Sequence, residues 1–201
     1  ITAVTIHDSY TDEYEAAVLH PDAVAQGEQH TWDAETVEAL EADDVTVFDN
    51  EARMLAHFNE WIVQHDPDLM TGWNSSRNEI GSGFDYPYWI NRCKRINEWT
   101  VEDTSPTDDV FVTERGAPVM GGREMFDMLQ AYKKTQIHEK RSYALGYIAE
   151  EELGYGKEDI ESLDEGWMHE PAQFMRYNIR DTQAVVEIEQ SKNVLEMYDH
   201  I

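Results

Sequence analysis

The chain has 201 residues, of which 41% are hydrophobic and 28% charged, and its 42 acidic and 15 basic side chains give a formal net charge of −27 at pH 7. This composition excludes a disordered tail, the absence of a run of about 18 apolar residues excludes a membrane span, and the single cysteine excludes an internal disulfide. We expect one domain, residues 1–201, in a reducing cytoplasm.

The acidic residues are spread along the whole chain, and only six residues are lysine. At low salt such a charge repels nucleic acid. At about 1 M salt the Debye length falls to about 3 Å, so the repulsion is screened. The charge therefore predicts a high-salt cytoplasm and does not exclude a DNA partner.

Two β-rich segments open the chain, residues 1–7 ("ITAVTIH") and 14–19 ("YEAAVL"), with a polar stretch between them. This pattern predicts an antiparallel hairpin. The acidic segment 21–44 is expected to be a polar excursion from the fold. The next predicted elements are a short strand at 45–48, an amphipathic helix that Asp49 or Asn50 caps, and a buried strand at 69–73.

The second half alternates strand and helix patterns. The first predicted elements are a helix at 86–97, with Pro87 in its first turn, and a short strand at 110–113. The segment "GAPVMGGREMFDMLQAYKK" predicts a turn, a strand and the start of a helix. A helix that Ser142 caps and Gly154 ends follows, and a closing helix is predicted at 171–198. This alternation predicts a mixed α/β sheet with helices on both faces.

The closing helix carries one carboxylate on an apolar face. Residues at steps of three or four share a face, and here they are Phe174, Tyr177, Asp181, Val185 and Ile188. Tyr177 lies one turn before Asp181 and points into the same space. The alternative is that Asp181 pairs with Arg180 or another neighbour.

A second carboxylate, Asp85, lies among aromatic residues in "GWNSSRNEIGSGFDYPYWINR", which also contains Asn74. Burying a carboxylate is unfavourable unless something pairs with it. Asp85 is therefore either a helix cap near Pro87 or a residue that binds something. Asn74 follows a strand and a glycine, where a turn residue is expected.

Four segments in the order "PDLMTGWN…GFDYPYWINR", "GREMFD", "SYALGYIAEEELGYGK" and "YNIRD" resemble the 3′–5′ exonuclease domain of family B DNA polymerases. That domain belongs to the DEDD exonucleases, tyrosine subtype. Asn74 and Phe84–Asp85 match its second motif, Tyr177 and Asp181 match its third, and Asp127 ends its Gly-Arg segment. The resemblance covers essentially the whole chain and implies a ribonuclease H-like exonuclease fold, a mixed sheet flanked by helices. The resemblance indicates a fragment of a longer polymerase, and the acidic composition indicates a halophilic archaeon or its virus as the source.

The chain departs from the family pattern in two ways. Nine residues separate Asn74 from Phe84, where the family has two or three, so "SSRNEIGSG" is interpreted as an insertion that could move Asn74. The first motif, which the family places as an Asp-x-Glu on the central strand upstream of the strand that resembles "ITAVTI", is absent. Asp33 in "WDAET" imitates it but follows no apolar strand. We therefore expect a fold without its first strand, with open sheet edges that favour self-association.

The resemblance implies a site for two Mg²⁺ or Mn²⁺ ions, in which Asp85 and Asp181 bind metal and act in catalysis with Tyr177. Asn74 and Phe84 would bind the substrate, with Phe84 stacking on the 3′ bases. The implied partners are a single-stranded 3′ end, a primer-template and a polymerase domain of the same chain, with no membrane. Half of the carboxylate cluster is missing, so we expect weak metal binding and little nuclease activity.

Two alternatives stay open: a stand-alone DEDD exonuclease on DNA or RNA, and a catalytically inactive domain that binds single-stranded nucleic acid. The basic stretch "KKTQIHEKR", residues 133–141, either follows a phosphate backbone or forms a solvated helix face. Lys157 in "LGYGK" could also reach a phosphate.

Overall fold

The computed structural model describes residues 1–24, 32–76, 83–155 and 163–199. Its strands are β1 (Ala3–Asp8), β2 (Glu13–Leu19), β3 (Val45–Phe48), β4 (Leu69–Gly72), β5 (Val110–Val112), β6 (Pro118–Met120) and β7 (Glu124–Asp127). Its helices are α1 (Ala34–Ala42), α2 (Glu51–His65), α3 (Asp85–Arg95), α4 (Thr100–Asp103), α5 (Met128–Thr135), α6 (Leu145–Leu153), α7 (Leu163–His169), α8 (Pro171–Lys192) and α9 (Val194–Asp199). The predicted mixture of strands and helices is confirmed.

The strands form three small sheets. β1 and β2 make the predicted antiparallel hairpin, and β3 pairs parallel to β2. β4 pairs parallel to β7 with Gly72 opposite Asp127, and β5 pairs antiparallel to β6. Within the described residues, β1 and β4 each leave one edge without a partner strand.

These two open edges border a common core. Ile1, beside the start of β1, and Met70 of β4 both pack against one apolar cluster. The buried members of this cluster are Leu55, Ile90, Cys93, Val101, Val110 and Met120. The helices α2 and α3, which supply half of them, therefore hold the two sheets on one core.

The segment 21–44 is not only a polar excursion, because it contains α1. Asp33 begins this helix as its N-cap and accepts hydrogen bonds from the backbone N–H of Thr36 at 2.8 Å and from its hydroxyl at 2.7 Å. A capping carboxylate satisfies a backbone donor that the helix leaves unpaired. Asp33 thus has a local structural role, consistent with its exclusion as a first-motif residue.

Three other predictions need correction. The strand β4 is not buried, since Leu69 is 38% exposed at the edge of a two-stranded sheet. The closing helix is broken, because Asn193 adopts the left-handed conformation (φ 52°) and separates α8 from α9. The helix predicted to start at Ser142 starts later, and the Ser142 hydroxyl accepts from the N–H of Ala144. None of the helices in the described ranges is long and apolar enough to cross a bilayer.

Candidate functional site

The turn after β4 is fastened to the start of α3. Asn74 adopts the left-handed conformation (φ 58°), which asparagine tolerates better than most residues. Its carbonyl accepts from the N–H of Phe84 at 3.1 Å, and the carbonyl of Ser75 accepts from the N–H of Tyr86 at 3.1 Å. The Tyr86 hydroxyl also donates to the carbonyl of Thr71 at 2.7 Å. These bonds hold Asn74, Phe84 and Asp85 in one unit.

The insertion leaves and rejoins this unit at one place. A Cβ atom added to Gly83 would lie 2.2 Å from the carbonyl carbon of Ser76, so only glycine allows this approach. Residues 77–82 lie outside the described part of the chain. Because the two ends of the insertion touch, the main chain of Asn74 stays beside Phe84 despite the long gap in sequence.

Asp85 is the first residue of α3 rather than its cap. The N-cap position belongs to Phe84, which makes no side-chain capping bond, so the interpretation of Asp85 as a cap is wrong. The Asp85 side chain is exposed and lies close enough to Asp127 for the two charges to interact. Partial desolvation and, second, the charge of Asp127 raise the pKa of the Asp85 carboxyl.

Asp127 joins the turn to the second sheet. It ends β7, is 6% exposed and caps α5 by accepting from the N–H of Gln130 at 3.3 Å. Its other carboxylate oxygen accepts from the N–H of Ser76 at 3.1 Å. Burial raises the pKa of the Asp127 carboxyl although these backbone bonds oppose the shift. The sequence identified Asp127 only as the end of the Gly-Arg segment, and gave no signal that it bonds to the Asn74 turn.

Buried hydroxyl groups surround this junction. Thr71 Oγ1, Ser75 Oγ and Ser76 Oγ have no hydrogen-bond partner within the described residues. An unpaired buried polar atom costs about 1–3 kcal/mol, so native proteins usually place one where solvent or a ligand completes it. The site therefore combines two neighbouring carboxylates with unsatisfied oxygen atoms.

An aromatic pair stands beside Asp85 on the outer side of α3. The rings of Phe84 and Tyr88 stack with centroids 4.7 Å apart at an angle of 24°. Phe84 is 60% exposed and Tyr88 is 39% exposed. Apolar rings that pack on each other yet face solvent form a flat surface on which another ring can stack.

Tyr177 and Asp181 are both half-buried on α8, which packs against β1. Ile188, farther along α8, belongs to a core cluster against which Phe126 of β7 packs. The hydroxyl of Thr5 in β1 donates to Asn178 Oδ1 at 2.6 Å. Arg180, the alternative partner of Asp181, donates to Glu187 and Gln183. The structure thus places the third-motif helix against β1, and the Asp85 unit beside β4.

No group of three or more His, Cys, Asp or Glu side chains is arranged to hold a metal ion in the ranges that the structure describes. Both carboxylate oxygens of Asp127 already accept a hydrogen bond from a backbone N–H group. Asp85 is therefore the carboxylate that is better able to bind a further group. The described residues thus hold two neighbouring carboxylates, Asp85 and Asp127, but no complete group of metal-ligating side chains.

Comparison with known proteins gives the family. The family described as "DNA polymerase family B, exonuclease domain" matches residues 2–148, well over half of the chain. The chain belongs to this exonuclease family. The match covers Asn74, Phe84, Asp85 and Asp127 but ends before Asp181.

Several DNA polymerases resemble the chain over part of their length. The DNA-directed DNA polymerase of Escherichia phage RB69 is 31% identical over 75% of this chain and 17% of its own length. That of Enterobacteria phage T4 is 26% identical over 98% of the chain and 24% of its own length. The DNA polymerase delta catalytic subunit of Plasmodium falciparum is 29% identical over 61% and 12%. The exonuclease chain thus spans less than a quarter of each of these relatives.

Proposed function

We propose that this domain is a metal-dependent 3′–5′ exonuclease of the DEDD tyrosine subtype, within a DNA polymerase that removes mismatched 3′ nucleotides during replication. The observation that carries the proposal is the closed Asn74–Phe84–Asp85 unit. Two main-chain hydrogen bonds close it across the insertion, so Asn74 and Phe84 lie side by side, which supports a shared second-motif role. Membership of the exonuclease family supports the same reaction.

The site suits Mg²⁺ or Mn²⁺, which prefer oxygen ligands. Partial burial and, second, the charge of Asp127 raise the pKa of the Asp85 carboxyl, and a bound cation would offset both effects. Two divalent ions would supply an activated water and a stabilised leaving oxygen for phosphodiester hydrolysis. We propose Asp85 and Asp181 as metal ligands and the Tyr177 hydroxyl as the group that orients the attacking water.

The exposed Phe84 and Tyr88 rings would receive the bases at the 3′ end. Stacking on aromatic side chains tolerates any base, as removal of any mismatched nucleotide requires. Asn74, whose main chain is fixed beside Phe84, would position the terminal nucleotide through its side-chain amide. The substrate is proposed to be a frayed primer-template, passed from a polymerase domain of the same full-length protein.

We propose further that one strand belongs between β1 and β4, which would complete a ribonuclease H-like sheet and carry the first motif. Both edges lack a partner in the described residues and border one core. Without that strand, the chain should bind metal weakly, have little activity and self-associate through its edges. The high negative charge supports a halophilic source and a high-salt cytoplasm.

The test compares this chain with one extended upstream to include an Asp-x-Glu strand. Digestion of a 3′-labelled single strand is followed at high KCl with Mg²⁺ or Mn²⁺. We expect 3′–5′ digestion only by the extended chain, and its loss in Asp181→Ala and Asp85→Ala variants. Robust Mg²⁺-dependent digestion by the 201-residue chain, abolished by Asp181→Ala, would overturn the claim that the fragment is nearly inactive. RNA in parallel reactions separates a polymerase domain from a stand-alone exonuclease with broader substrates.

A second candidate is a catalytically inactive domain that binds single-stranded nucleic acid. It is favoured by the absence of a complete group of metal-ligating side chains among the described residues. An extended chain that binds a labelled single strand but never cleaves it, with either metal, would support this candidate.

A further inference from the structure

The segment 133–141 is a basic feature in an otherwise acidic chain. It holds Lys133, Lys134, Lys140 and Arg141, four of the chain's 15 lysines and arginines, with a single carboxylate, Glu139. It comprises the last turn of α5 and the loop that leads to α6. Lys133, Lys134 and Arg141 have exposed side chains. Such a cluster stands out more in this chain than it would in a neutral protein.

The carboxylates that face this segment from α6 are already paired. Lys140 Nζ lies 2.9 Å from Glu151 and 3.0 Å from Glu152, and Lys192 Nζ lies 2.5 Å from Glu152. Glu152 is also hydrogen-bonded by the Tyr132 hydroxyl. Lys140 and Lys192 therefore neutralise these two acids, while the side chains of Lys133 and Arg141 are exposed.

The segment is attached to the candidate site. The indole N–H of Trp73, the residue before Asn74, donates to the carbonyl of Tyr143 at 3.0 Å. Lys133 Nζ lies over the Tyr143 ring, 4.9 Å from its centroid. Along α5, Lys133 is six residues from Asp127, or about 9 Å at the rise of an α-helix. The basic segment therefore lies within a short distance of the Asn74–Asp85 unit.

We infer that residues 133–141 form a surface that binds the phosphate backbone of a single-stranded nucleic acid whose 3′ end reaches the Asn74–Asp85 unit. The inference rests on the proposed exonuclease function for the direction of the strand. Exposed cations that follow a groove next to stacking aromatics are the usual means of holding a single strand without regard to sequence. Phosphate contacts supply affinity and register, which a nuclease that cuts any sequence needs.

The test measures binding of a fluorescent oligothymidylate by anisotropy in EDTA, over the KCl range in which circular dichroism shows the 201-residue chain to be folded. The variant, called the loop variant below, is Lys133→Gln/Lys134→Gln/Arg141→Gln. The matched control is Arg53→Gln/Arg95→Gln/Arg115→Gln, which removes three exposed arginines elsewhere. Both triple variants change the net charge by −3, so general repulsion is equal in the two.

We expect the slope of log affinity against log salt to decrease in magnitude by about 2 in the loop variant, because each phosphate contact on a single strand contributes about 0.7. The control should keep the slope of the unmodified chain. Equal slopes in the two triple variants, or no binding by the unmodified chain, would overturn the inference. Loss of self-association in the loop variant, without oligonucleotide binding, would instead assign the surface to a second acidic copy and also overturn it.

Because binding is read in EDTA, failure of the surface and failure of the nuclease are distinguishable. If the salt dependence of binding changes only in the loop variant and the extended chain never cleaves, the phosphate-binding surface is supported and the proposed nuclease activity is rejected. If the extended chain cleaves but the two triple variants show equal salt dependence of binding, the nuclease activity is supported and the phosphate-binding surface is rejected.

Discussion

At the scale of single residues, the neighbouring carboxylates of Asp85 and Asp127 differ in burial and in hydrogen bonding. Asp127 is buried, and each of its carboxylate oxygens accepts a hydrogen bond from a backbone N–H group, so it orders the Asn74 turn and the start of α5. Asp85 is exposed on the neighbouring helix and feels the charge of Asp127. Asp127 thus has a structural role, and Asp85 is the acid that we propose as a metal ligand.

Replacing Asp85 by Asn should weaken Mn²⁺ binding at least about tenfold, as for loss of a direct ligand, without destabilising the metal-free chain. The folded-state pKa of Asp85 lies above its unfolded value, so its ionised form disfavours folding. Stability is therefore lost as pH rises from the unfolded pKa through the folded one, and Asn removes this loss. At pH 7 we expect a gain of up to about 0.5 kcal/mol after solvent screening. Mn²⁺ titration and thermal melting at pH 4 and pH 7 measure both effects.

The matched control for this change is Asp33→Asn. Asp33 is also an exposed carboxylate, but it caps α1, where asparagine is an equally good cap. This variant should leave Mn²⁺ binding unchanged. Equal affinities for Mn²⁺ in the Asp85→Asn variant and its control would remove Asp85 from the proposed metal site.

At the scale of elements, local patterns predicted most of the structure. The hairpin of β1 and β2 and the cap of α2 at Asn50 depend on neighbouring residues, and both are confirmed. The pairing of Gly72 with Asp127 and the bond from Ser76 to Asp127 join residues more than 50 positions apart, so no local pattern contains them. The acidic α1 was missed because its apolar face is weak. The break at Asn193 was missed because the apolar residues Val194 and Leu195 follow it directly, although asparagine often ends helices.

The contact between Ser76 and Gly83 predicts that the insertion can be removed. Deleting residues 77–82 and joining Ser76 to Gly83 should change the free energy of unfolding by less than about 1 kcal/mol, because closing a loop of this length costs little entropy. Urea unfolding of the deletion variant and of the unmodified chain measures this difference in the free energy of unfolding. The Asn74–Phe84 hydrogen bond should persist in hydrogen exchange.

The control is a deletion of equal length at 104–109. There, Thr104 and Ser105 are buried, and the Ser105 hydroxyl donates to the carbonyl of Gly121 at 2.7 Å. This variant should unfold or lose several kcal/mol. A loss as large in the 77–82 deletion would show that the insertion contributes to the core fold.

At the scale of the whole molecule, charge and open edges act in opposite directions. The net charge of −27 keeps copies apart and strains the compact state at low salt. The edges of β1 and β4 offer backbone groups to another strand. Screening the charge should therefore stabilise each copy and, at the same time, permit association through the edges.

We expect the midpoint of thermal unfolding to rise by several degrees as KCl increases from about 0.1 to about 2 M, since the Debye length falls from about 10 Å to less than 3 Å. The exposed acids of α1 test the cause. A Glu35→Gln/Glu38→Gln/Glu41→Gln variant should melt higher at low salt and gain less from added KCl. A melting midpoint that is insensitive to KCl in both proteins would refute repulsion as the source.

Trp73 gives the molecule an internal probe for nuclear magnetic resonance. Its indole bonds to Tyr143 on one side, lies 5.4 Å from the Tyr132 ring, and directly precedes Asn74 in the chain. A fluorine label on this indole would change its resonance when either the site or the basic segment is occupied. The two events could then be followed separately in one sample, with metal added before nucleic acid or after it.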